Sequence, residues 1–244
     1  DGRHLYGGDR LSLTNGEARA KLAKRLAIAR NALPWEPMLQ QASIAALRHY
    51  RQGEAPVLVG ATLRRAVRPW RLWPIIPLGN TAILFGPGGS LKSTLAALFA
   101  LLVQAGETTK GLRPQQGNAL VLDWETDEDE FRWRLHAIVA GMGLPSTALL
   151  YRRMALPLAD DMEAISGLVT EYSIRLLVVD SLGAAAGSDL NATEPCLRLY
   201  AALRQLHCTS LLLAHNSKDQ LTKRRTVYGN VHYWNYARSV WETR

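Results

Sequence analysis

Apolar residues recur along this chain in two rhythms. Between residues 16 and 51 they come at helical spacing, whereas beyond residue 77 they come in short unbroken runs separated by helix-length amphipathic stretches. The first rhythm predicts two amphipathic helices, 16–32 (GEARAKLAKRLAIARNA) and 37–51 (PMLQQASIAALRHYR), divided at Pro34-Trp35. From 53 to 77 the chain turns to Pro, Arg and Trp, as in Arg68-Pro-Trp-Arg-Leu-Trp-Pro74, with no sustained period. This segment is expected to be a linker packed through its tryptophans, with a basic helical region and linker over 1–75 and a second region over 76–244.

The second rhythm is that of βαβ units. Strands are predicted at 81–85, 119–123, 149–153, 176–180, 210–215 and 239–242, and helices at about 91–105, 127–142, 160–172 and 194–207. The fold class expected is α/β, a parallel-rich central sheet flanked by helices, with a small helical region before it. No internal repeat appears. The final residues, Ser239 to Arg244, read as a strand beginning, so the chain is expected to be a fragment of a longer protein.

Composition narrows the possibilities further. With 48% hydrophobic and 20% charged residues, 244 residues are enough to bury a core, which argues against a disordered or fibrous chain. Two cysteines are too few for a disulfide scaffold. The longest apolar stretch, Leu95 to Val103, is far short of the ~20 residues that span a bilayer. A soluble, cytoplasmic protein with no membrane partner is expected. The net charge of +8 is unevenly spread: residues 1–76 hold thirteen Lys/Arg and five Asp/Glu, leaving sixteen of each for the rest. Broad attraction for a polyanion therefore belongs to the first third.

Chemistry concentrates where strands end. The strand Thr81–Phe85 runs into Gly86, Pro87, Gly88, Gly89, Ser90, Leu91, Lys92, Ser93 and Thr94, and then into an Ala/Leu helix. Glycines leave backbone N–H groups free to cradle phosphates at a helix N-terminus, Lys92 reaches the β- and γ-phosphates, and Ser93 can hold Mg²⁺. The competing reading is a plain Gly-rich strand-to-helix turn. The usual pattern, G-x-x-x-x-G-K-[ST], has glycine where this chain has Leu91. If that position needs a glycine-only dihedral, the loop is strained; if the side chain points outward, nothing is lost.

Arg175 to Asp180 is an apolar strand ending in an acid, which puts a carboxylate at the sheet edge beside the Mg²⁺, unless Asp180 is merely a cap. Ala119 to Glu125 also ends in acids. Glu125 is placed to orient or deprotonate a water, with N-capping as the competing role, and Asp127 to Glu130 are assigned to capping of the next helix.

The succession of phosphate loop, strand ending in Glu125, strand ending in Asp180-Ser181, and Leu211-Leu-Leu-Ala-His215-Asn-Ser-Lys218 resembles the RecA-like ATPases over residues 77–244. Within these it is most similar to the RepA-type replicative helicases and the AAA_25 group, including ATPases of phages and mobile elements. The resemblance implies a RecA-like sheet, ATP and Mg²⁺ as cofactors, and a ring or filament of identical subunits acting on single-stranded DNA. It assigns Glu125 as catalytic base, Asp180 as Walker B acid and His215 as γ-phosphate sensor. It turns the loop 219–225 (DQLTKRR) toward DNA, where a charged connector is the other reading. Val227 to Arg238 resembles the family's G-S-x(n)-A-R segment, with Asn230 in place of the common Ser, and implies that Arg238 acts in the neighbouring subunit's site. The aromatics in that stretch either stack bases or pack against the sheet or a subunit. Two other functions stay open: a KaiC-like regulatory ATPase acting on protein partners, and a nucleotide-binding module with little hydrolysis.

Overall fold

The computed structural model describes residues 12–30, 32–52, 56, 68–144, 148–217 and 226–244. The chain forms two compact units, Asp1–Arg65 and Ala66–Arg244. In the first, α1 (Gly16–Ala29) and α2 (Trp35–Gln52) form a helical pair. The Asn15 side chain caps α1 by accepting the N–H groups of Glu17 and Ala18 at 3.0 and 3.2 Å, two donors that the helix itself leaves unmet. Ala23, Leu26 and Ser43 are buried, while Lys21, Lys24, Arg25, Arg30 and Arg48 are exposed.

The second unit opens with β1 (Trp70–Trp73) and β2 (Ile76–Pro77), followed by β3 (Thr81–Gly86), α3 (Lys92–Ala105), β4 (Arg113–Pro114) and β5 (Asn118–Asp123). Then come α4 (Glu128–Met142), β6 (Leu150–Arg153), α5 (Met162–Glu171), β7 (Ile174–Asp180), α6 (Leu182–Ala186) and α7 (Thr193–Gln205). The last elements are β8 (Thr209–His215), α8 (Val231–Tyr236) and β9 (Ser239–Glu242). Six strands make a wholly parallel sheet in the order β6-β5-β7-β8-β3-β9.

Strand parity explains the continuous apolar runs. Ile83, Phe85, Leu120, Leu122, Leu177, Val179 and Leu212 pack on one face with α5 and α7, and Ala82, Leu84, Val121, Leu176, Val178, Leu211 and Leu213 on the other with α3 and α4. A sheet covered on both faces needs apolar side chains at every position. Because all six strands point one way, their C-terminal ends gather at one edge, where such folds place ligands.

The segment expected as an irregular linker up to residue 77 contains an antiparallel hairpin instead. Leu72 opposes Ile76, both are fully buried, and β1 also pairs with β4. Its strands are too short to show a period in sequence, and what holds them is remote: the buried Arg71 guanidinium donates to the Gln115 and Gln116 carbonyls at 2.9 and 3.3 Å. Among the described residues no helix is long and apolar enough to cross a membrane.

Candidate active site

The C-terminal edge of the sheet carries a cavity of about 270 Å³ whose walls are the loop 88–94, Glu125, Asp180, Ser181, Ala214 and His215. The loop leaves β3 at Gly86 and enters α3 at Lys92. Gly89 takes a left-handed φ of 75°, and around Gly88 and Gly89 there is open space where a side chain would stand, so backbone rather than side chain faces the cavity there. Thr94 lines the same wall from the first turn of α3.

Leu91 answers the question raised by its missing glycine in both ways. Its backbone is left-handed, φ 60° and ψ 20°, and its side chain is 67% exposed. The position does use the conformation that glycine adopts freely, and the side chain is accommodated because it points into solvent. A non-glycine residue held there costs on the order of 1 kcal/mol. Leu91→Gly is therefore expected to leave stability in urea unfolding unchanged or raised by at most about 0.5 kcal/mol, because the greater freedom of glycine in the unfolded state offsets about 0.4–1 kcal/mol of the relief. A loss of about 0.5–1 kcal/mol would mean that the loop bears no such strain.

Lys92 is 8% exposed, and its ammonium donates to the Gly86 and Pro87 carbonyls at 3.1 and 2.7 Å. Burial pushes its pKa below the ordinary lysine range, while Asp180 and Glu125 pull it back up. Next to it, Ser93 lines the same cavity as Asp180. Asp180 is the last residue of β7 and lies level with Asp123, the last of β5. Its carboxyl is pushed up to about 6, first by burial and then by the charges of Asp123 and Glu125, with the Ser93 hydrogen bond and Arg134 acting the other way. Ser93 and Asp180 together offer hard oxygen donors of the kind Mg²⁺ takes alongside phosphates, and a buried, crowded carboxylate is one that a cation would relieve. The residues present thus fit the metal.

Glu125 stands on a turn that Asp123 builds. The buried Asp123 carboxylate accepts the N–H groups of Glu125 and Thr126 at 2.8 and 3.0 Å and the Thr126 hydroxyl at 2.5 Å. Tyr151 on β6 reaches the same carboxylate at 3.4 Å, and its phenol is pushed up to about 12 by burial and by Asp123. The backbone N–H of Trp124 is held by the Asp180 carbonyl at 2.7 Å, which joins the ends of β5 and β7. From this turn the Glu125 side chain meets the Ser181 hydroxyl, which donates to Oε1 at 2.5 Å, and His215 Nε2 lies 3.9 Å from the same oxygen.

The structure therefore brings Lys92, Ser93, Glu125, Asp180 and His215 around one cavity. Asp127 caps α4 through a bond from the Glu130 N–H at 2.9 Å, as expected. Arg238 is exposed and stands level with Thr81 at the opposite end of β3, away from this cavity. Lys218 and the charged loop 219–225 lie outside the described residues; their flanks are paired, Ser217 N–H to the Thr226 carbonyl at 2.8 Å. Of the aromatic run, Tyr233 is fully buried and its carbonyl accepts the Tyr200 hydroxyl at 2.7 Å, whereas Tyr228, Trp234 and Tyr236 stay partly exposed. Asp123 and Ser181 were not among the predicted site residues. The signals were present as an Asp followed three residues later by Thr, an Asx-turn pattern, and as a Ser directly after a strand-ending acid.

A family model described as an AAA domain, AAA_25, matches residues 52–221. No curated protein matches the chain.

Proposed function

Since the chain belongs to the AAA_25 family of AAA domains, ATPases of the P-loop class, we propose that it is an ATP-hydrolysing, RecA-like motor of the RepA helicase type, acting on single-stranded DNA as a ring or filament. The observation that carries the hydrolytic part is the convergence of Lys92, the Ser93–Asp180 pair, Glu125 and His215 on one cavity at the sheet edge. In this reading the amides of the loop from Gly86 to Thr94, with Lys92, bind the phosphates, and Ser93 and Asp180 hold Mg²⁺. The metal, when bound, neutralises charge on the phosphate oxygens. Glu125 accepts the proton of the attacking water as the bond between the β- and γ-phosphates breaks, giving ADP and phosphate. His215, beside the Glu125 carboxylate, reports the γ-phosphate state to the segment that follows it.

The DNA part rests on charge. The region 1–75, with its exposed Lys21, Lys24, Arg25, Arg30 and Arg48, supplies a basic surface, while the core over 76–244 is neutral overall and has acids at its catalytic edge. Arg238, exposed and remote from its own cavity, suits a guanidinium offered to a neighbouring subunit. The test is ATP turnover with and without single-stranded DNA at low salt. Stimulation that fades as salt rises is expected, because phosphate contacts release counterions. Turnover that ignores DNA at every salt concentration would sink the motor reading and leave a regulatory ATPase that acts on proteins.

A further inference from the structure

The last strand reaches the phosphate loop from 153 residues away in sequence. Thr243, just past β9, is 8% exposed, and its backbone N–H donates to the Phe85 carbonyl at 2.8 Å. Its hydroxyl lies 2.7 Å from the Ser90 hydroxyl and 3.3 Å from the Phe85 carbonyl. Each hydroxyl has one proton; Ser90 lies 2.8 Å from the Pro87 carbonyl, closer than Thr243 lies to the Phe85 carbonyl at 3.3 Å, so the Ser90 proton is assigned to Pro87 and the Thr243 proton to Ser90. The same Pro87 carbonyl accepts from Lys92 at 2.7 Å. The result is a chain of polar groups running from Thr243 through Ser90 and Pro87 to the Lys92 ammonium. Packing reinforces it: a Cβ on Gly86 would stand 2.2 Å from the Thr243 hydroxyl, so the loop's first residue must be bare for β9 to dock.

We infer that Thr243 is a positioning residue for the nucleotide site, fixing the curvature of the phosphate loop and the seat of Lys92 through Ser90. The inference rests on the reading of the cavity as a nucleotide site, but Thr243 itself lies outside the residues that the family model matches. The physical reason is pre-organisation. A loop carrying a left-handed Leu91 has a cost built into its shape, and a buried hydroxyl from outside the loop holds that shape without a ligand, so less binding free energy is lost in ordering it. Ser90 and Lys92 touch the cavity; Thr243 acts through them.

The experiment compares Thr243→Val, which keeps the shape and removes the donor, with Thr243→Ser, which keeps the donor, in the full chain. Kd for a slowly hydrolysed ATP analogue, KM and kcat for ATP, and the melting temperature are measured. Thr243→Val is expected to raise Kd and KM about five- to tenfold, equivalent to about 1–1.4 kcal/mol and in the range of one hydrogen bond, with kcat changed less than about twofold. Thr243→Ser should return both to within about twofold of the native values. On a Ser90→Ala background, Thr243→Val should add nothing, because the link it breaks is already gone. A folded Thr243→Val chain with native Kd overturns the inference, as does a loss that Thr243→Ser shares or that adds fully to Ser90→Ala. A lowered melting temperature with unchanged Kd also overturns it, assigning Thr243 to stability alone. Failure of the native chain to bind the analogue would instead reject the nucleotide site itself.

Discussion

Glu125→Gln is expected to leave ATP bound and to lower its hydrolysis by about 10²–10⁴-fold, the usual span of a lost general base. The amide matches the carboxylate in shape and keeps an oxygen to accept the Ser181 hydroxyl, now at 2.5 Å, and the turn below it depends on the Asp123 carboxylate rather than on the side chain at 125. What the variant loses is the ability to take a proton from water. Lys92, with its bonds to the Gly86 and Pro87 carbonyls, and the Ser93–Asp180 pair stay as they are, so affinity for ATP should change less than about threefold. Turnover and Kd measured on the same preparation check this. A variant that hydrolyses ATP at near-native rate would leave Glu125 a structural partner of Ser181, since Asp127 already caps α4.

Asp180→Asn should remove turnover and at the same time stabilise the metal-free protein at alkaline pH. Burial, with Asp123 and Glu125 nearby, holds the Asp180 carboxyl at about 6, above the ordinary carboxylate range. A group whose pKa is raised on folding contributes stability that is fully present below its unfolded pKa of about 4 and lost as pH rises through the folded value near 6. Above that window the native chain buries a carboxylate at a cost that asparagine does not incur. The gain expected at pH 8 is about 1–3 kcal/mol, shrinking toward zero near pH 4. Asparagine keeps the shape of the side chain but offers a neutral oxygen to Mg²⁺, so ATP hydrolysis should fall at least about 100-fold. Denaturant unfolding in chelator at the two pH values, with turnover in Mg²⁺, tests both halves. A gain that persists undiminished at pH 4, or none at pH 8, would show that the charge of Asp180 is not what strains the site.

Most of the sheet was legible because its physics is local. The four inner strands, β5, β7, β8 and β3, are apolar runs bounded by polar or glycine residues, as strands covered on both faces have to be whatever their neighbours are, whereas the edge strands β6 (LYRR) and β9 (SVWE) are mixed and only partly buried. The edge that carries the cavity was legible for a related reason. Residues that follow strands in a parallel sheet all emerge on one side, so Lys92, Glu125, Asp180 and His215 could be assigned to one place without knowing the strand order. The hairpin Trp70–Pro77 was not legible, since a four-residue strand facing a two-residue strand has no period to detect and owes its place to Arg71 and the distant carbonyls of Gln115 and Gln116.

The sequence by itself determined the class of fold, the phosphate loop and the acids that face it, because spacing along one chain encodes strands, turns and the edge to which they point. Only the tertiary structure decided the backbone of Leu91, the hold of Ser181 on Glu125, and the reach of Thr243 to Ser90. The last two depend on which strands lie side by side. A contact between residues 153 positions apart leaves no periodic trace in sequence, and a dihedral angle is set by the whole loop rather than by the residue that bears it.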